Sequence, residues 1–169
     1  METLRIGLVG TGGIGRTHIE RINNTLQGGK VVACADPASA FGFSVAEKYG
    51  IKGFENPIDM INSPEIDAVM CTTSDPYHEE YVLASIAAGK YVFCEKPLAP
   101  KADACKRIVE AERKAGKRSW FRSASCAATT RDTSSSRRRL TAASTVKRCC
   151  CTAHTATRLF RMTGTTPWR

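Results

Sequence analysis

The stretch Gly10-Thr11-Gly12-Gly13-Ile14-Gly15 constrains the fold of this chain more than any other. It has the form G-x-G-x-x-G and lies between a short apolar run, residues 4–9, and a segment with Ile14, His18, Ile19 and Ile22 at helical spacing. A strand that turns into a helix over three glycines is a dinucleotide-binding fingerprint. Gly10 allows the tight turn, Gly12 lets the backbone approach a pyrophosphate, and Gly15 lets the helix pack closely on the strand. Gly13 and Ile14 stand at the start of that helix, where free N–H groups and the positive end of the dipole face the phosphates.

A second feature stands at the expected distance. Residues 31–35, Val-Val-Ala-Cys-Ala, read as the next strand, and Asp36 follows at its end. An acid about 20 residues past the glycines accepts hydrogen bonds from the adenosine ribose hydroxyls. It also repels a 2′-phosphate, which selects NAD over NADP. The plainer reading is that Asp36-Pro37 only opens a turn. Strand, glycines, helix, strand and acid in that order favour an NAD-type site.

Downstream the pattern repeats. A helix is expected over 39–48 with Gly50 as its stop, a short strand over 51–54, and a brief helix that Asn56 caps and Pro57 begins. Residues 66–71 form a strand apolar enough to be buried on both faces, 76–88 a helix, 91–94 a strand and 102–115 a last helix. Alternating strands and helices with short connections give an α/β, doubly wound parallel sheet of the Rossmann type. Ligands of such sheets bind beyond the carboxyl ends of the strands. Two ends carry polar chemistry there: Thr72-Thr73-Ser74-Asp75-Pro76-Tyr77-His78 and Glu95-Lys96-Pro97. Thr72, Thr73 and His78 are candidates for holding a nicotinamide ribose, although Thr73 or Ser74 could equally cap the helix. Lys96 can hydrogen-bond a substrate hydroxyl and the ribose together; its plainer reading is a solvated surface lysine.

The net charge of +9, from 25 Lys and Arg against 16 Asp and Glu, suggests nucleic acid until it is located. Fifteen of each sign fall within residues 1–118, so ten basic residues and Asp132 put the whole excess in 119–169. Of the eight cysteines, Cys34, Cys71, Cys94 and Cys105 sit on or near strands or a helix, where a thiol behaves as a small apolar group. Cys126 and Cys149-Cys150-Cys151 lack zinc-type spacing, and no metal site is expected. Met1-Glu2-Thr3 leads straight into the first strand without a signal peptide, and no apolar run approaches a bilayer span. A cytoplasmic protein without membrane partners is expected.

The glycine motif, Asp36, residues 72–78 and Glu95-Lys96-Pro97 together resemble the glucose–fructose oxidoreductase, inositol dehydrogenase and rhizopine-catabolism (Gfo/Idh/MocA) family. Residues 15–22 and 78–82 are most similar to its inositol 2-dehydrogenases, and the resemblance covers residues 4 to about 118. It implies hydride transfer between NAD and a secondary alcohol of a cyclic polyol or sugar. The lysine matched by Lys96 is catalytic in that family, and Glu95 and Lys96 border the cofactor. An aspartate and a histidine there come from a second domain, which also forms the substrate floor and the oligomer interface.

Nothing after Arg118 resembles that second domain. Residues 119–169 hold 18 Ser and Thr and only eight large apolar residues, a composition that cannot offset chain entropy and reads as a disordered basic tail. An Arg/Ser-rich RNA-binding tail is one reading, though such tails are usually repetitive and this one is not. A reading-frame shift near Arg118 is the preferred one, because back-translation two bases along permits family-like strands over 119–130 and again over 148–157. On that account the sixth strand, the second domain and its aspartate and histidine are absent, and the oligomer interface is lost. The chain is then a nucleotide-binding domain without catalysis, with no specific nucleic-acid partner.

Overall fold

In the computed structural model the described residues are 3–115 and 121–123, the last three as backbone alone. Apart from that short stretch, the expectations for the basic tail and its reading frame lie outside them. The elements alternate: β1 (Leu4–Val9), α1 (Gly13–Thr25), β2 (Gly29–Ala35), α2 (Ser39–Tyr49), β3 (Lys52–Phe54), α3 (Pro57–Asn62), β4 (Ala68–Cys71), a 3-10 turn (Asp75–Tyr77), α4 (His78–Ala87), β5 (Tyr91–Cys94), α5 (Ala102–Lys114) and β6 (Phe121–Ser123). The sheet runs β3-β2-β1-β4-β5-β6 with every pairing parallel. The order reverses between β1 and β4, and that is where a doubly wound sheet opens a ligand crevice.

Two cores flank the sheet. On one face Ile19 and Ile22 of α1 and Val45 and Ala46 of α2 pack on Ile6, Leu8, Val31, Met70 and Phe93. On the other, Met60 and Ile61 of α3, Val82 and Ile86 of α4 and Ile108 of α5 cover Val9, Val69, Cys71, Val92 and Cys94. Side chains alternate across a strand, so Val69 and Cys71 look one way from β4 while Met70 looks the other. Each fully buried Ile or Leu stabilises the fold by roughly 1.5–3 kcal/mol before entropy is counted.

Local chemistry sets the element ends. Gly50 closes α2 at φ 62°, ψ 38°, and its N–H bonds back into the last turn. The Asn56 side chain accepts from the Ile58 N–H at 2.8 Å and starts α3. The helix expected over 76–88 begins later, at His78, because residues 75–77 wind as a tighter 3-10 turn. The side chains of Thr73 and Ser74 do not cap it: neither the turn nor α4 has a side-chain cap.

The expected loss of the sixth strand is corrected. β6 pairs in parallel with β5, Val92 opposite Phe121 and Cys94 opposite Ser123. An open strand edge offers a row of unpaired N–H and C=O groups. Main-chain bonding recruits a short strand there without the apolar pattern by which strands are read. Among the described residues no helix is long and apolar enough to cross a membrane.

Candidate functional site

The C-terminal ends of β1, β2 and β4 enclose a cleft of ≈ 260 Å³ lined by Gly10, Gly12, Asp36, Pro37, Ala38, Thr72, Thr73, Ser74 and Tyr77. Gly10 has φ +92°, and a Cβ on it would come within 2.5 Å of the Thr73 nitrogen. Gly15 faces the Gly10 carbonyl and the Thr72 hydroxyl so closely that a Cβ would strike both. These two contacts press α1 against β1 and β4. Gly12 is different: no atom lies within 4 Å of where its Cβ would stand. Its open face borders the cleft at the start of α1, where no side chain caps the helix and no acid occupies the first turn. Gly13 has the same open space, and Ile14 is 58% exposed beside it. Uncapped N–H groups at a helix N-terminus favour an anion.

Asp36 closes one side of the cleft. Its Oδ2 accepts from the Thr11 N–H at 2.6 Å and from the Thr11 hydroxyl at 2.9 Å, and its Oδ1 accepts from the Ala38 N–H at 3.0 Å. The buried Thr11 therefore orients the acid expected to meet a ribose. Thr72 works in a similar way. Its hydroxyl donates to the Gly10 carbonyl at 2.6 Å and lies 3.1 Å from that of Val9, which ties the glycine turn to the end of β4.

His78 lies behind the cleft, fully buried. Its Nδ1 is 2.7 Å from the Pro97 carbonyl and its Nε2 is 2.9 Å from the Thr73 carbonyl. It thus joins the loop after β4 to the loop after β5, with both ring nitrogens beside backbone carbonyls. Thr73 presents that carbonyl, while its hydroxyl lies 3.5 Å from Cys71 Sγ.

Glu95 and Lys96 follow β5. Glu95 Oε1 pairs with His18 Nε2 at 2.9 Å, and its Oε2 accepts from the Lys96 N–H at 3.2 Å. The His18 hydrogen bond first, then the Lys96 N–H and the charges of both residues, hold the Glu95 carboxyl below its usual range against the opposing effect of burial. His18 also meets the Phe93 ring edge-on, and its Nδ1 is buried without a partner among the described residues. The Lys96 side chain is exposed and makes no ion pair among them. An exposed ammonium at a strand end, beside a carboxylate already taken by histidine, is available to an incoming group.

The structure thus brings Gly10, Gly12, Asp36, Thr72 and Thr73 to one cleft, and Glu95 and Lys96 to the neighbouring strand end. Thr11 and His18 emerge as supporting residues that sequence reading did not single out for the site.

Comparison with known proteins gives the family. Residues 4–123 match the family model described as "Oxidoreductase family, NAD-binding Rossmann fold" (GFO_IDH_MocA). The chain is 47% identical over 118 residues to an inositol 2-dehydrogenase of Klebsiella pneumoniae and 50% identical to one of Serratia proteamaculans. Each match covers 69% of this chain and 35% of the relative, so the chain spans about a third of the length of the curated relatives it matches. Among solved structures, myo-inositol dehydrogenase of Lactobacillus casei in complex with NAD(H) and myo-inositol superposes with a TM-score of 0.69 at 30% identity. That match covers 73% of this chain and 37% of the other. A probable dehydrogenase of Thermotoga maritima gives 0.67 at 33% identity, over 72% and 36%.

Proposed function

The chain belongs to the Gfo/Idh/MocA oxidoreductases and carries their NAD-binding Rossmann domain, and on that premise we propose that it serves hydride transfer between NAD and a secondary alcohol of a cyclic polyol, an inositol before other sugars. The observation that carries the reading is the open face of Gly12 beside the uncapped start of α1. A pyrophosphate fits there because no side chain fills the space and the helix supplies N–H donors. Asp36, held by Thr11, accepts from the adenosine ribose. Gly13, Ile14, Thr73 and Glu95 border the bound nucleotide, while Thr72 and His78 hold the loops that shape its nicotinamide end.

When bound, NAD supplies the hydride acceptor. Lys96 would donate from its ammonium to the alcohol oxygen and hold that oxygen at the sheet's mouth, where charge develops as the O–H proton passes to water. Glu95, fixed by His18, anchors the backbone from which Lys96 reaches. Four reduced thiols, Cys34, Cys71, Cys94 and Cys105, support a reducing compartment such as the cytoplasm. The balanced charge of residues 1–118 supports a small-molecule site without a specific nucleic-acid partner.

A second reading, nucleotide binding without turnover by this chain alone, is favoured by one observation. Glu95, the acid next to Lys96 in the chain, has its carboxylate already bonded to His18. Calorimetry with NAD and NADP, followed by an NADH assay with myo-inositol, tests both. NAD binding with steady NADH formation supports the first, and NAD binding without NADH the second. No NAD binding refutes both.

A further inference from the structure

On the face of the sheet covered by α3, α4 and α5, three soft or borderline ligands meet. Cys71 ends β4 and Cys94 ends β5, and the parallel register sets them directly opposite one another. His78, the first residue of α4, lies over the same strand ends. The Cys71 and Cys94 sulfurs and a His78 ring nitrogen all lie within 4.8 Å of one another, and all three residues are fully buried. We propose that Cys71, His78 and Cys94 form a binding site for one thiophilic divalent metal ion of the Zn²⁺ class.

Distance, charge and the surroundings of the imidazole all suit such an ion. For three atoms at that spacing a point exists within ~2.8 Å of all of them, and shifts of about 0.5–0.8 Å bring an ion there to the ~2.3 Å and ~2.0 Å of Zn–S and Zn–N bonds. Two thiolates and one neutral imidazole cancel the charge of a divalent ion, so the filled site buries no net charge. A metal-ligating histidine typically donates its second ring N–H to a backbone carbonyl, which fixes ring and tautomer. His78 has such a carbonyl at each nitrogen, Pro97 and Thr73. Releasing one to bind metal leaves the other in the orienting position. The Thr73 hydroxyl, 3.5 Å from Cys71 Sγ, adds an oxygen beside the cluster.

Burial also separates this use from a redox one. Oxidant-sensing thiols need solvent access, whereas structural metal sites are closed. The spacing of Cys71, His78 and Cys94 carries no zinc signature; strand pairing brings them together.

The test uses the full chain with Cys126, Cys149, Cys150 and Cys151 replaced by Ser, which removes competing thiols, and Co²⁺ as a coloured probe. We expect one Co²⁺ per chain, with thiolate-to-metal charge-transfer absorption and the intense visible bands of tetrahedral cobalt. Cys71→Ser and Cys94→Ser should each weaken binding by about 100-fold, and His78→Gln by about tenfold or more. X-ray absorption on the Zn²⁺-loaded parent, which needs no core variant to fold, should show two sulfur ligands and one nitrogen. Absence of the charge-transfer band, a shell of oxygen and nitrogen alone, or undiminished binding in folded Cys71→Ser or Cys94→Ser protein would overturn the site.

Discussion

Three glycines separate backbone strain, packing and ligand access, because the structure gives each a different combination of them. Gly50 has φ +62° with open space around it, Gly10 has φ +92° with backbone at 2.5 Å, and Gly12 has φ −61° with open space. Alanine at Gly50 therefore meets only the left-handed backbone penalty, about 1–2 kcal/mol. Alanine at Gly10 meets that penalty and a clash with Thr72 and Thr73 backbone that no rotamer change relieves. Overpacking adds roughly 1–3 kcal/mol, so Gly10→Ala should cost about 2–5 kcal/mol in all. That is a large share of the ~5–15 kcal/mol by which native domains are stable. Gly12→Ala should leave stability unchanged or raise it by as much as ~1 kcal/mol, since a compatible backbone gains from a stiffer unfolded chain. Its methyl group projects where the pyrophosphate is placed, so NAD affinity should fall by at least about tenfold, or ~1.4 kcal/mol. Urea unfolding reads the first two effects and calorimetry with NAD the third. If Gly10→Ala unfolds no more readily than Gly50→Ala, the close packing of the glycine turn on β4 is misjudged. If Gly12→Ala binds NAD as well as the parent, the phosphates lie elsewhere.

Other consequences can be measured with the same methods. Asn56→Ala removes the acceptor for the Ile58 N–H and should cost about 1 kcal/mol in urea unfolding. Glu95 has a depressed folded-state pKa, so its pairing with His18 stabilises the fold above the unfolded carboxyl value and is lost as pH falls through the folded one. Glu95→Gln should then cost about 1.5–3 kcal/mol near neutral pH, and unfolding curves of the two proteins should converge in acid; a pH-independent gap would disprove the linkage. Asp36→Ser should narrow the preference for NAD over NADP by about tenfold in calorimetry and, by releasing Thr11, should lower the thermal midpoint as well.

The order of strands and helices was legible because each element carries a local mark. The apolar strand runs, Gly50 after α2 and Asn56-Pro57 before α3 all act within a few residues. The start of α4 was misplaced because Pro76 suits the first turn of an α-helix and a 3-10 turn equally. β6 was missed because its pairing to β5 is a property of main chain at an open edge. The glycines and Asp36 were legible as a motif of fixed spacing. The pairs that hold them in place were not: His18 with Glu95 and Thr72 with Gly10 lie 77 and 62 residues apart. No periodicity spans such gaps, and only the sheet order makes these residues neighbours. The same holds for Cys71 and Cys94, which looked like ordinary apolar positions until their register was known.

The place of β1 in the sheet bears on how the domain is made. It precedes the other strands of the sheet along the chain, yet it lies in the interior, with β2 on one side and β4 on the other. The β2 side can zip as soon as residue 35 emerges, through contacts about 25 residues apart. The β4 side waits for residue 71, with Ile6 to Val9 holding one row of main-chain groups open until then. The nascent domain is therefore assembled from the middle outward in two instalments. Its nucleotide crevice, which needs both neighbours of β1, belongs to the second instalment and cannot form from β1 and β2 alone.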